Sequence, residues 1–168
     1  MTSTGSAEKA GAGLPVGRPP GAEEATKVLA FLEPAEALRL KALGEVREWK
    51  AGEVILDDQR PAPFLAFVLA GRLAVKKLSS FPGRYILLAE FEPGGMIGEG
   101  AVVEASRQPA AGTVVAAVDD SRLLVLPRER LQQLLSDEPE LAQKLLLRII
   151  QVVRRRLQGA GERLAWIL

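Results

Sequence analysis

The sequence contains no histidine and no cysteine. Without histidine the chain lacks the commonest general base and metal ligand, and without cysteine it lacks disulfides, thiol nucleophiles and the usual structural zinc sites. These absences argue against most hydrolase and metalloenzyme classes, although a carboxylate-based enzyme stays open. We therefore expect a protein that is not an enzyme and that holds no metal.

The chain also lacks a strong net charge and a long apolar run. Its 22 Lys and Arg residues against 21 Asp and Glu residues leave a formal charge of +1, so no overall field attracts nucleic acid. The run Arg154-Arg155-Arg156 has no interleaved aromatic residues, which argues against a nucleic-acid patch. No apolar run approaches the roughly 18 residues of a membrane span. Because the N-terminus has no signal-peptide pattern either, we expect a cytoplasmic protein that contacts neither membrane nor nucleic acid.

The residues that are present divide the 168-residue chain into three parts. Residues 1–22 contain almost no large apolar side chains, so they cannot offset chain entropy and are predicted to be disordered. Residues 23–158 are predicted to form one domain. Residues 159–168 are predicted to be a C-terminal extension, because Gly159 and Gly161 weaken the last helix.

The periodicity of apolar residues predicts a mostly β domain with flanking helices. Residues 23–43 have helical spacing, and Glu33-Pro34 divides them into two short helices. Residues 45–91 form short apolar runs separated by turn residues, which is typical of an antiparallel roll or barrel. A further strand at 122–126 is followed by a short helix and then by a long last helix at about 139–158.

The segment 91–116, FEPGGMIGEGAVVEASRQPAAGTVVA, carries the chemistry of the chain. A Pro-Gly-Gly turn precedes the small residues Gly98, Gly100 and Ala101, which leave backbone N–H groups open to an anion. Glu99 lies among them. A carboxylate beside a phosphate is repelled by it unless the carboxylate accepts a hydrogen bond from a hydroxyl group, and a sugar would supply one. In the alternative, Glu99 accepts backbone N–H bonds and the glycines form only a tight turn.

This segment resembles the phosphate-binding cassette of the cyclic-nucleotide-binding domain, the sensory domain of the catabolite-activator (Crp-Fnr-like) family. In that family a Gly-Glu pair is followed by a short helix, a loop and an Arg-Ser/Thr-Ala segment that leads into a strand. Gly98-Glu99 matches the first part, and 111–114 matches the last part in outline. Strand-turn-strand phrases at 50–55 and 67–73 extend the likeness to about residues 28–157.

The resemblance implies a fold, a ligand and a set of ligand-binding residues. The fold would be an antiparallel β-roll, jelly-roll-like and built as a double-stranded β-helix, with N-terminal helices and a long C-terminal helix. The ligand would be a cyclic nucleotide, cAMP or cGMP, and Glu99 would accept a hydrogen bond from its sugar hydroxyl. The implied binding residues are Gly98, Glu99, Gly100, Ala101, Arg107, Ala111, Gly112 and Thr113. Thr113 would either orient the ligand or serve only as a strand residue.

The sequence departs from the family where the cyclic phosphate should be held. The family's arginine is expected at Ala110, and losing its bidentate pair would weaken binding by about two to three orders of magnitude. Arg107 is a nearby substitute, but Pro109 follows it and has no N–H to give to a phosphate. Arg107 would therefore either swing in as the anion ligand or remain a solvated loop charge.

The last helix has an apolar arc of about 220°, wider than the ~100° of an ordinary surface helix. One roll cannot cover so wide an arc, so we expect a homodimer or another protein partner on this helix. Arg156 projects near the centre of the arc. It would reach into the pocket of its own or a partner chain, pair with an acid across a dimer seam, or snorkel with its head in water. We favour snorkelling.

The function predicted from these features is a stand-alone, non-catalytic regulatory module in which cyclic-nucleotide binding is weak or lost. The alternative is a functional cAMP or cGMP sensor that uses Glu99 and Arg107 and signals to a partner through its C-terminal helix.

Overall fold

The computed structural model describes residues 21–81, 83–103, 109 and 112–165. Nearly all of the predicted disordered segment 1–22 lies outside these residues. In chain order the elements are α1 (Ala22–Val28), α2 (Pro34–Ala42), β1 (Glu45–Trp49), β2 (Val54–Leu56), β3 (Phe64–Ala70), β4 (Leu73–Leu78), β5 (Tyr85–Phe91), β6 (Met96–Ile97), a 3₁₀ turn (Glu99–Val102), β7 (Thr113–Ala116), β8 (Ser121–Pro127), α3 (Arg128–Asp137) and α4 (Pro139–Ala165).

The described strands form two four-stranded antiparallel sheets. One sheet has the order β1-β8-β3-β6 and the other β2-β7-β4-β5. Because non-consecutive strands pair in both sheets, the chain crosses between sheets repeatedly, as in a β-roll. The predicted mostly β fold with flanking helices and a long C-terminal helix is confirmed.

Strand β3 shows why its sequence is almost continuously apolar. Leu65, Phe67 and Leu69 face a core shared with the four helices, whereas the alternate residues face a second core between the two sheets. Side chains of a strand alternate between its faces, so a strand buried on both sides has no position for a polar residue. Each fully buried Leu or Phe contributes about 1.5–3 kcal/mol. This strand therefore joins the helical layer to the roll.

The helices differ from the sequence prediction at one end. Helix α2 begins at Pro34, as the Glu33-Pro34 break predicted, and the Glu36 side chain accepts the Glu33 N–H in a capping box. Helix α4, however, continues to Ala165 rather than ending near Gln158. A glycine costs only about 1 kcal/mol inside a helix, and good helix formers follow Gly159 and Gly161. The segment 159–165 is therefore part of the last helix, and residues 166–168 of the predicted extension lie outside the described residues. Within the described part of the chain, the structure has no helix long and apolar enough to cross a membrane.

The contact between α2 and α4 predicts an acid-sensitive contribution to stability. Lys144 Nζ lies 2.7 Å from Glu36 Oε1, and this hydrogen bond is the main cause that holds the pKa of Glu36 below its ordinary value of 4.5. Because the folded pKa is the lower one, the pair stabilises the fold above the ordinary value. The contribution is lost as the pH falls through the folded value.

We therefore expect Glu36→Gln to lower the melting temperature near neutral pH, with an effect that shrinks as the pH is lowered below the ordinary value of 4.5. Glutamine still accepts the Glu33 N–H, so the capping box is kept. Lys144→Gln should give the same pH profile, because it removes the other partner. Melting curves measured by circular dichroism check this, and a Glu36→Gln effect that is constant with pH would contradict it.

Candidate functional site

The turn after β6 is fixed by a glycine that no other residue replaces without strain. Gly98 has φ 76°, in the left-handed region, and a Cβ built on it would overlap the carbonyl oxygen of Phe64. Its carbonyl accepts the Ala101 N–H at 2.9 Å, which starts the 3₁₀ turn. The backbone of β6 and its pairing with β3 therefore determine where Glu99 lies.

A cavity of about 720 Å³ opens beside this turn. Its walls are the second sheet, the turn itself and the C-terminal half of α4. Most of the side chains on the strand walls are apolar, among them Leu56, Val75, Leu88, Ile97 and Val114. A volume of this size is in the range of small-molecule sites, which are concave and mostly apolar with a few polar groups.

Arg156 of α4 holds the carboxylate in this cavity. Its Nη1 donates to Glu99 Oε1 and its Nη2 donates to the carbonyl oxygen of Met96. Its Cζ lies 4.2 Å from the centre of the Phe91 ring, at a distance suited to a cation–π contact. The side chains of Arg156 and Glu99 are 30% and 27% exposed, so the pair is largely withdrawn from water.

The snorkelling expected for Arg156 is therefore wrong. Of the alternatives, the structure has the guanidinium in the cavity of its own chain. Burial lowers the pKa of Arg156, and the charge and hydrogen bond of Glu99 raise it in return. The group stays positively charged at neutral pH, because the ordinary pKa of arginine lies far above neutrality. The charge is kept here because Glu99 and the Met96 carbonyl replace water.

The predicted ligand-binding residues separate into three groups. Gly98, Glu99, Gly100 and Gly112 line the cavity. Ala101 is fully buried in the core shared with the helices instead. Thr113 lies in β7, and its hydroxyl donates to Asp58 Oδ1 at 3.0 Å. Arg107 and Ala111 lie outside the described residues, as does Ala110.

Sequence reasoning missed several cavity residues on α4. Arg155, Gly159, Ala160 and Arg163 all line the cavity, but the helix was expected to end near residue 158. A signal was present: Arg156, Gly159, Ala160 and Arg163 recur at spacings of three and four, which is one face of a helix. Continuing the helix through the two glycines would have predicted this face.

The charged groups of the described lining are arginines and carboxylates. The described lining includes three arginines and two carboxylates, Glu90 and Glu99, and no hydroxyl, amine, thiol or imidazole side chain. Glu99 is held by Arg156, and no described group of three or more acidic residues is arranged to hold a metal ion.

Comparisons with known proteins agree with this architecture. A family model described as the cyclic nucleotide-binding domain matches residues 46–138. The chain is 29% identical over 136 residues to glutaminase 2 of Bradyrhizobium diazoefficiens, covering 80% of this chain and 20% of that protein. It is 23% identical over 134 residues to the CRP-like cAMP-activated global transcriptional regulator of Mycobacterium tuberculosis, covering 80% of this chain and 56% of that protein.

A solved structure shows the same fold. The cyclic nucleotide-binding domain from Methylobacillus flagellatus KT superposes with a TM-score of 0.76 at 23% identity, over 87% of this chain and 83% of that one. The two curated relatives are longer proteins, and the chain spans only about a fifth and about half of their lengths.

The geometry of the turn predicts that Gly98→Ala is much more damaging than an alanine at another left-handed glycine. Gly52 has φ 86° with open space around its missing Cβ, so Gly52→Ala should lose only the ~1–2 kcal/mol of left-handed strain. Gly98→Ala adds the clash with Phe64, and we expect it to lose about 2 kcal/mol more. Urea unfolding of the two variants measures the difference. Equal losses would show that the turn shifts freely.

Proposed function

Because the chain belongs to the cyclic nucleotide-binding domain family, we propose that it is a non-catalytic regulatory module whose cavity binds cyclic nucleotides weakly or not at all. One observation carries this proposal: the Glu99 carboxylate already accepts a hydrogen bond from the Arg156 guanidinium. Glu99 is the carboxylate that the family resemblance assigns to the sugar hydroxyl. A nucleotide would have to take Glu99 away from a guanidinium before binding it.

The exchange is unfavourable because the existing bond is charge-assisted. Hydrogen bonds to charged groups contribute about 1.5–3 kcal/mol, and a neutral sugar hydroxyl is a weaker donor than a guanidinium. The displaced Arg156 would also lose the Met96 carbonyl and the Phe91 ring. Each 1.4 kcal/mol that is not recovered lowers affinity about tenfold.

The phosphate end supports the same proposal. Ala110 stands where the family's arginine is expected, so the bidentate pair with the cyclic phosphate is absent from the cassette. The described lining also has no Ser, Thr, Asn or Gln side chain to bind the edges of a base. Among the described residues, a nucleotide bound there would therefore find no side-chain hydroxyl or amide for its base edges.

The second candidate function is the cyclic-nucleotide sensor that uses Glu99 and Arg107. It is favoured by the position of Arg156 on α4, since any ligand that took Glu99 would act on the C-terminal helix directly. A signal would then reach a partner through this helix, with no intervening element.

For the partner, we propose a second copy of this chain that packs along α4. Leu146, Ile150, Val153 and Leu157 follow one another at spacings of four, three and four, and they are between 37% and 73% exposed. This spacing is that of a coiled-coil seam. The neighbouring face of the same helix, with Leu145 and Ile149, is buried in the core that β3 shares with the helices. The stripe is therefore additional to what the fold itself covers, and a partner would bury it.

Calorimetric titration tests the weak-binding proposal. We expect no measurable heat from cAMP or cGMP up to millimolar concentration with the wild-type chain. Restoring the family's arginine with Ala110→Arg should gain about two to three orders of magnitude in affinity, because it supplies the bidentate pair. Micromolar binding by the wild type that is lost in both Glu99→Gln and Arg107→Gln would contradict the proposal and establish the sensor.

Light scattering coupled to size exclusion tests the dimer. Ile150→Glu places a charge in the middle of the exposed stripe, so it should convert a dimer to a monomer with little change in melting temperature. Gln151→Glu is the matched control, because Gln151 is also exposed on α4 but projects away from the stripe. A wild-type chain that is monomeric at high micromolar concentration would exclude this interface.

A further inference from the structure

The described lining of the cavity has an excess of positive charge that comes from one helix. Arg155, Arg156 and Arg163 of α4 all line it, against the two carboxylates Glu90 and Glu99. Glu99 is committed to Arg156, and the nearest cation to Glu90 in the described structure is Arg72, at 3.9 Å. Among the described residues neither Arg155 nor Arg163 forms an ion pair. Both guanidiniums lie at the cavity wall, where they could donate to an anion.

The rest of the wall is suited to an apolar body. Apart from the five charged residues, every described lining residue is aliphatic, aromatic, glycine or proline. Burying an apolar ligand surface against such a wall is favourable, whereas polar groups of a ligand would find no hydrogen-bond partners on it. A sugar, a base or a peptide would lose affinity there for each unpaired group.

From these two observations we propose that the cavity binds an organic anion with an apolar body, a carboxylate, anchored by the arginines of α4. The anchor would be Arg163 and Arg155 at the wall, with Arg156 inside. This inference rests on the proposed function, in which cyclic nucleotides are not tight ligands of the same cavity. In this proposal the positively charged residues that bind the ligand lie on α4, and not at position 110 where the family's arginine is expected.

Glu99 has a different part in this proposal from the one that the family resemblance gives it. A ligand carboxylate and the Glu99 carboxylate are both acceptors for the Arg156 guanidinium, so they compete. Removing the charge of Glu99 should then tighten the binding of an anion. If Glu99 instead accepts a hydroxyl of the ligand, the same substitution should weaken binding. The sign of the effect of one substitution separates the two models.

The test uses the full chain with octanoate and naphthoate as probes, and octanol and naphthamide as their uncharged counterparts, in calorimetric titrations. We expect each carboxylate to bind at least tenfold more tightly than its uncharged counterpart. Arg163→Gln should weaken carboxylate binding about three- to tenfold, as expected for loss of one partly exposed charge pair. Glu99→Gln should tighten it about tenfold.

Arg154→Gln is the matched control, because Arg154 is exposed on the same helix and does not line the cavity. It should leave carboxylate affinity unchanged, whereas an effect equal to that of Arg163→Gln would mean that the chain attracts anions only through its general charge. Circular dichroism verifies that each variant is folded.

The inference is overturned if the carboxylates do not bind at millimolar concentration, if the uncharged probes bind equally well, or if Glu99→Gln weakens binding. The proposed function survives all of these outcomes as long as cAMP and cGMP also fail to bind. Micromolar binding of cAMP by the wild type, in contrast, overturns the proposed function whatever the carboxylates do.

Discussion

Glu99 and Arg156 are two charged groups that the fold withdraws from water, and each is tolerated there because of the other. A carboxylate or guanidinium without a partner at this depth would cost several kcal/mol. The pair joins the 3₁₀ turn, whose position is set by Gly98 and Phe64, to α4, 57 residues further along the chain. Met96 and Phe91 complete the surroundings of the guanidinium. The cavity wall and the last helix are therefore linked by the hydrogen bonds of Arg156 as well as by apolar packing.

This contact changes what the departure from the family pattern means. The sequence suggests that the positive anchor of the site is missing, because alanine stands at position 110 where an arginine is expected. The cavity nevertheless contains a guanidinium, which comes from another element and approaches Glu99 rather than a phosphate. For this reason the same Glu99 is a hydroxyl acceptor in one hypothesis and a competitor for an anion in the other.

The features that repeat along the sequence could be predicted, and those that depend on a single distant contact could not. The apolar run of β3 and the turn residues between strands indicated a roll, because they reflect burial on two faces and local backbone geometry. Strand β6 is only Met96–Ile97, too short to show a period. Glu99 could be placed in the site from its neighbours in sequence. The partner of Glu99 could not be predicted in this way, because no local sequence pattern indicates that Arg156 lies beside Glu99 in the fold.

The helical face on which Arg156 lies could nevertheless be predicted from the sequence. Leu145, Ile149 and Val152 form the face that packs on the helical core, and Arg156 is the next residue on that face. A charged residue on the buried face of a helix either leaves that face or has a buried partner. Sequence alone did not decide between these outcomes, because the choice depends on whether a carboxylate lies opposite. The Gly98-Glu99 turn supplies that carboxylate.

Helix α4 therefore has three roles along its length: it covers the helical core, it closes the cavity, and it presents the exposed stripe of Leu146, Ile150, Val153 and Leu157. Arg156 and Leu157 are adjacent in sequence and belong to the cavity and to the stripe respectively. A ligand that changed the pose of Arg156 would thus act within one residue of the proposed dimer contact. By thermodynamic linkage the effect must be reciprocal, so that dimer formation would alter ligand affinity by the same factor as the ligand alters dimer formation. In this proposal the ligand and the dimer contact would both act on the part of α4 around Arg156 and Leu157.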